Sequence, residues 1–340
     1  MDKLLAAKYN LSKIAKFKQN KRAFYSLILF SIIFFLSLIV EIYTNDRPIL
    51  VKYQGNYYFP IFKHYPETKF GGDFATKADY LDPYIQKTIR KDGFIIFPLL
   101  KYNFDTINYH LKNPPPTPPS LENILGTDDL GRDVFARLIY GLRISLLFGL
   151  TLTIISSVIG IFLGALQGYL GGKFDLFMQR FIEIWSGLPV IFILIILATF
   201  VTPNFWWLLF IMLLFSWMSL VAPVRAEFLR ARKLEYVLAA KAIGISEYNI
   251  ITKHILPNAT IAALTFIPFI LSGSIVILTS LDFLGFGLPA GSASLGELLA
   301  QGKDNPHALW IGLSCFITLS FILTLLIFIG EGVRDAFNPE

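Results

Sequence analysis

The chain of 340 residues is 54% hydrophobic and only 16% charged, and a mean hydropathy of +0.58 is too apolar for a soluble globular protein. Its net charge of +6 does not point to nucleic acid, because the basic residues gather at the N-terminus and in one loop, where anionic lipid and topology account for them. The single cysteine, Cys315, lies inside an apolar run, which excludes an intramolecular disulfide and a cysteine-based metal cluster.

Residues 1–22 carry Lys3, Lys8, Lys13, Lys16, Lys18, Lys21 and Arg22 against Asp2, and an almost unbroken apolar run follows from Phe24 to Val40. That run exceeds the roughly 7–15 residues of a signal-peptide core, and no small-residue cleavage site follows it. It predicts a first transmembrane helix over 23–42 with its N-terminus in the cytoplasm. From 43 to 119 the composition turns mixed in charge and rich in aromatics. Ile49–Tyr53 and Tyr57–Phe62, around Gln54-Gly55-Asn56, predict a β-hairpin, with a further strand within Phe94–Tyr102. The run from Pro114 to Pro119 predicts a stiff spacer.

In 126–145, Asp128, Asp129 and Asp133 cluster near Gly126 and Gly131 without the spacing of a calcium loop, so a turn with helix capping is expected. Five further apolar stretches, about 144–168, 181–201, 205–224, 259–281 and 308–330, bring the expected spans to six and put both termini on one side. Arg225, Arg230, Arg232, Lys233, Lys241 and Lys253 crowd the loop assigned to the cytoplasm, while 282–307 offers Asp282, Glu297 and Asp304 against Lys303. Trp206, Trp207 and Trp310 are expected at the outer boundary.

The polar loop 225–258 joins two of these spans. Within it, Tyr236, Ala239, Ala240 and Ile243 stand at i, i+3, i+4 and i+7, predicting one small-residue face of a short helix that begins at Glu235. Gly244 should end that helix, and Ile245 leads into Ser246, expected to cap a second one with Glu247 against its dipole. Pro257, after Leu256, is expected to mark the turn into the next span.

The arrangement Ala239-Ala240, Gly244, Leu256-Pro257 resembles the EAA loop of ABC-importer permeases, with Leu238 where Glu is usual and His254 where Ile is usual. Gly126, Thr127, Asp128, Gly131, Arg132, Asp133, Arg137, Gly141 and Arg143 are similar to the segment before the second span in dipeptide and oligopeptide permeases. The run Leu281–Leu295 and the ending GEGVRDAFNP resemble the same family. The aromatic-rich insert, PNFWWLL at 203–209 and TSLDFLGFGLP at 279–289 are most similar to the YejE-type permeases of the microcin C and peptide uptake system.

This resemblance implies an all-α polytopic membrane protein of six transmembrane helices with the type I ABC importer (MetI-like) permease fold and a small periplasmic insert containing β-strands. It divides the chain into a cytoplasmic N-terminus (1–22), a first span (23–42), the insert (43–119), a periplasmic pre-span segment (120–143), a five-helix core (144–330) and a cytoplasmic C-terminus (331–340). The implied role is import of peptides or peptide-like compounds across the bacterial inner membrane. Glu235, Tyr236, Ala239, Ala240, Ile243, Gly244, Ile245, Ser246, Leu256 and Pro257 would couple this half of the pore to the ATPase. The implied partners are a second permease subunit in a heterodimer, two ATP-binding subunits or one fused ATPase, a periplasmic peptide-binding protein and the lipid bilayer. No cofactor would be bound by this chain, ATP and Mg belonging to partner subunits.

The residues agree with such a division of labour. Four histidines without a zinc-protease or serine-hydrolase motif supply no catalytic centre, and Gly171-Gly172-Lys173 lacks the rest of a phosphate-binding loop. The rival class is an ion-coupled secondary transporter, which would keep ionisable groups near the bilayer midplane. Glu41, Arg180, Glu183, Asp282 and Glu331 fall near span ends instead.

Overall fold

The computed structural model describes residues 13–337 except 110 and 199. Lys3 and Lys8 of the basic N-terminus, His110, and Pro339 of the final motif lie outside the described residues. The chain divides into two compact units, one of Met1–Ile32, Ser145–Pro289 and Thr318–Glu340, the other of Ile33–Ile144 and Ala290–Ile317.

The first unit holds most of the apolar helix. Among the described residues four helices are long and apolar enough to cross a membrane: α1 (Lys21–Leu38), α3 (Val134–Leu170), α6 (Phe205–Ala231) and α11 (Leu309–Phe337). The other two expected spans are bent pairs. α4 (Gly172–Ser186) and α5 (Val190–Ala198) meet at 64°, and α8 (Glu247–Leu264) and α9 (Ile267–Phe283) at 50°. The first bend falls at Gly187-Leu188-Pro189 and the second just before Pro268, where the missing N–H and the ring interrupt the helical ladder.

Close packing of α3 on α6 rests on glycine. A Cβ on Gly160, Gly164 or Gly168 would lie 2.5, 2.8 or 2.6 Å from the carbonyl oxygens of Trp217, Val221 and Arg225. Spacing of four puts the three on one side of α3, and their lack of side chains lets the backbones approach. Above this seam, Phe148, Leu152, Leu208, Ile211 and Leu278 are fully or almost fully buried in one apolar cluster.

The second unit contains the expected β-structure in shorter form. β1 (Leu50–Tyr53) pairs antiparallel with β2 (Asn56–Tyr58) and β3 (Gly93–Ile96), in the order β2-β1-β3. Register is Val51 opposite Tyr58 on one side and Ile95 on the other. Gln54 and Gly55 both take positive φ, the twist that a two-residue hairpin turn needs. Pro60 and Pro98 follow closely after β2 and β3, which explains why the strands stop short of the lengths expected. Period two sends Val51 and Tyr53 to the face covered by Ile85 and Ile89 of α2 (Pro83–Asp92). The fully buried Phe70 sits there with the rings of Tyr53, Tyr58, Tyr65 and Tyr80 around it at 5.2–6.3 Å. Asp82 caps α2 by accepting a hydrogen bond from the Tyr84 N–H, and Pro83 opens the helix.

Candidate coupling loop and buried charge cluster

The loop after α6 folds as α7 (Glu235–Ala242), a glycine turn, and α8. Gly244 has φ +82°, and its N–H donates to Lys241 O at 3.0 Å while that of Ile245 donates to Ala240 O at 3.1 Å. These two bonds are the Schellman termination, which satisfies carbonyls the helix leaves unpaired. Lys241 reaches across the turn to Glu247 at 3.8 Å.

Its faces are arranged differently from the expected small-residue stripe. Ala240 is 4% exposed and packs with Val237, Phe228, Ile250 and Ile255 in the core below, so it is not part of an outward face. The physical reason is that Val237 and Ala240, three apart, form the anchoring side, on which Ile245 and Leu256 also pack. Glu235, Tyr236, Ala239, Gly244, Ser246 and Pro257 are exposed, as is Ile243 at 80%. Leu238 and Tyr248, outside the expected set, join them.

Two local expectations are corrected. Ser246 makes no capping bond to the backbone; its Oγ accepts from Asn249 Nδ2 at 2.9 Å. Pro257 does not turn the chain, since α8 continues to Leu264 and the bend comes later. A π-helical turn at Ile250–Ile255 precedes it, with the Leu256 N–H bonded to Ile251 O. That wider turn, together with the position of Pro257 at the start of the following regular helix, accommodates a residue without an N–H.

The segment 126–143 builds the second site. Asp133 caps α3, its Oδ1 accepting from the Ala136 N–H at 2.7 Å while Oδ2 accepts from Asn123 Nδ2 at 2.8 Å. Burial pushes its carboxyl above the usual aspartate range, against the pull of those donors. Asp128 Oδ1 accepts from the N–H groups of Leu130 and Arg132 in a turn that Gly131 completes at φ +81°. Thr127 Oγ1 accepts from the Thr117 N–H at 2.8 Å, and Trp310 Nε1 donates to Thr127 O at 3.1 Å. Gly126, also at positive φ, lies too close to the Trp310 ring for a side chain.

Around this turn five charges gather, of which Asp128, Arg132 and Arg137 are buried. Arg132 Nε lies 2.7 Å from Asp128 Oδ2, and Arg137, 0% exposed, lies 3.2 Å from the same oxygen and 3.0 Å from Glu297 Oε1. Arg132 Nη2 reaches Glu297 at 3.3 Å. Glu297 is held on α10 (Leu295–Asp304), whose start Ser294 caps through the N–H groups of Gly296 and Glu297. Arg137 Nη2 also donates to Ser292 O, and a side chain on Gly141 would meet the backbone of Ser294 and Leu295. Arg143 pairs with Glu41 at 2.5 Å and stacks over Tyr140.

With Asp129 4.0 Å from Arg132 Nη2, three carboxylates face two guanidinia in the cluster, and Arg137 Nε and Nη1 are buried without a hydrogen-bond partner. Among the described residues no group of three or more His, Cys, Asp or Glu is arranged to hold a metal ion. The cluster clamps the start of α3 to 292–297. Sequence reasoning missed Glu297 as the partner of Arg132 and Arg137, and also the Arg225–Asp175 pair, bidentate at 2.5 and 2.6 Å between α6 and α4. Neither has a short-range signal. The Gly160, Gly164, Gly168 repeat did have one, in its spacing of four within an apolar run.

A helical protein with up to six membrane-length spans and a loop pinned to its core is the class these features define: a polytopic membrane protein. Residues 138–340 match the family of binding-protein-dependent transport system inner membrane components. The inner membrane ABC transporter permease protein YejE of Escherichia coli (strain K12) is 54% identical over 331 residues, covering 97% of each chain. The peptidoglycan transport system permease protein YejE of Agrobacterium fabrum is 53% identical, over 95% of this chain and 91% of that one. The dipeptide transport system permease protein DppC of Bacillus subtilis is 36% identical, over 66% and 70%. An inward-facing structure of the MetNI methionine ABC transporter overlaps 60% of this chain and 97% of its own at 15% identity and a TM-score of 0.48. The chain belongs to the family of binding-protein-dependent transport system inner membrane components and is an ABC transporter permease.

Proposed function

We propose that this permease forms half of a translocation pore for peptides or peptide-bearing compounds and is driven by a separate ATPase docked on α7 and the glycine turn. The observation that carries the reading is the two-sided character of α7: Val237 and Ala240 are locked into the core, while Tyr236, Leu238, Ala239 and Ile243 are left exposed. An exposed apolar cluster on a short helix suits insertion into a groove of a partner. Because the buried side is continuous with α6 and α8, movement of the docked partner would pass into the spans.

The substrate class rests on relatives whose names carry peptidoglycan and dipeptide transport, two cargoes that share peptide chemistry. A second permease subunit, two ATP-binding subunits or one fused ATPase, and a periplasmic binding protein complete the proposed assembly, with ATP and Mg held by the ATPase. The basic residues of 225–258 support a cytoplasmic loop and cytoplasmic termini. On that orientation 43–119 is periplasmic.

The test is purification of the chain from its native host, followed by the same pull-down with Ile243→Asp. An ATPase subunit should accompany the wild type and be lost from the variant, with membrane insertion unchanged. Retention of the ATPase by the variant together with normal peptide uptake refutes docking through this face.

A further inference from the structure

The insert contains a cleft of about 610 Å³ whose walls include Arg47, Lys63, His64, Lys77, Lys101 and Tyr80. We infer that this cleft is a binding site for a short acidic peptide, whose carboxylates the four cations would neutralise.

Two observations point to an anion. Among the described residues Arg47, Lys63, Lys77 and Lys101 form no ion pair, although Lys63 and Lys101 lie near the rings of Tyr65 and Phe97 at 6.0 and 5.2 Å. The acids of the same walls accept local hydrogen bonds, Asp79 and Asp82 from the N–H groups of Leu81 and Tyr84 and Asp46 Oδ2 from the Thr106 hydroxyl, while Asp46 Oδ1 is buried without a partner. The walls thus hold four cations against three carboxylates, and the excess registers at His64, whose pKa is lowered first by Arg47, then by burial and by Lys77, with Asp46 opposing them.

Tyr80 belongs to the same walls. It is 4% exposed, lines the cleft, and its buried hydroxyl has no hydrogen-bond partner. The cleft has the size of a small-molecule site, roughly 300–1,000 Å³, rather than of a protein interface. Tyr65, Tyr102 and Tyr109 give it aromatic walls that suit the stems of peptide side chains. Arg and Lys are the side chains that recognise carboxylates, Arg through its fork and Lys as a point charge.

The measurement is binding of fluorescein-labelled tetraglutamate to the full chain in phosphatidylcholine nanodiscs, without any ATPase, so that failure of docking on α7 does not touch the result. Tetraglutamate should bind saturably, tetralysine should not, and equal concentrations of inorganic phosphate should fail to displace it. Lys63→Glu with Lys77→Glu, both exposed positions, should weaken binding by at least about tenfold. Lys87→Glu with Lys91→Glu, on α2 away from the cleft lining, should change it by less than about twofold. Absence of saturable binding, equal loss in both lysine pairs, equal affinity for tetralysine, or displacement by phosphate overturns the assignment.

Discussion

Arg137 of α3 and Glu297 of α10 meet at 3.0 Å, joining two segments far apart in sequence through a guanidinium with no exposure to solvent. Removing one member of a buried pair leaves the others charged and unpartnered, at a cost of about 3–5 kcal/mol. Arg137→Ala should therefore lower the thermal midpoint of the purified permease sharply, and Glu297→Gln, which keeps an acceptor oxygen, should lower it less. Equal, small shifts in scanning fluorimetry for both variants would show that the cluster does not hold this unit together.

Asp133 gives the same region a pH dependence. Its folded pKa is raised by burial above the unfolded value of roughly 3.9. The folded state therefore holds the proton more tightly, and the stabilisation is present below the unfolded pKa and lost as pH rises through the folded one. Asp133→Asn retains an oxygen for the Ala136 N–H and cannot titrate. The fall in thermal midpoint between acid and neutral pH should be shallower in the variant; parallel profiles for the two proteins contradict the assignment.

Arg225 and Asp175 tie α6 to α4 by two hydrogen bonds, with the Asp175 side chain only 10% exposed and that of Arg225 28%. Discounting for that exposure leaves a coupling on the order of 1 kcal/mol, at the upper end for a partly solvated pair. A double-mutant cycle on Asp175→Asn and Arg225→Gln measures it directly. Arg225→Lys should recover only part, because an ammonium cannot make the paired contact. Additive single effects would mean that the two residues stabilise independently.

The α3–α6 seam should be more sensitive to volume than to polarity. Gly164→Leu places a branched side chain where even a Cβ stands 2.8 Å from Val221 O, and backbone cannot yield as a side-chain tip can. Overpacking of this kind costs typically about 1–3 kcal/mol and more when backbone must move. Gly273→Leu is the control, since nothing lies within 4 Å of its Cβ position. Comparable yields of folded protein from the two variants would remove the seam from the account.

On the coupling loop, bulk at Ala240 and a side chain at Gly244 should act through different routes. Ala240→Trp overfills the core shared with Val237 and Ile250, so it should reduce stability by about 1–3 kcal/mol before any partner is added. Gly244→Val meets no neighbour within 4 Å but forces a branched residue to φ +82°, a conformation that costs roughly 1–2 kcal/mol. Thermal unfolding of the isolated permease separates the effects from docking: both variants should unfold earlier than wild type, whereas Ile243→Asp should not.

Much of this protein is written in local sequence. Apolar runs of bilayer length, Pro189 and Pro268 at the bends of two of them, Gln54-Gly55 between short strands, and Gly244 after α7 each act through backbone geometry or hydrophobic period, which neighbours along the chain determine. The motif from Gly126 to Arg143 could likewise be read as a capped turn, because Asp133 and Asp128 bond to N–H groups within four residues. What the sequence could not decide is which side of a short helix faces the core. Tyr236, Ala239, Ala240 and Ile243 fit one stripe by spacing, yet only packing against Phe228, Ile250 and Ile255 assigned Ala240 inward and left Ile243 outside. Arg137 with Glu297 and Arg225 with Asp175 belong to the same class of question. Charges distant in sequence carry no mark of their partner, and the choice is made only when folding removes them from water and the unpaired alternative becomes too costly.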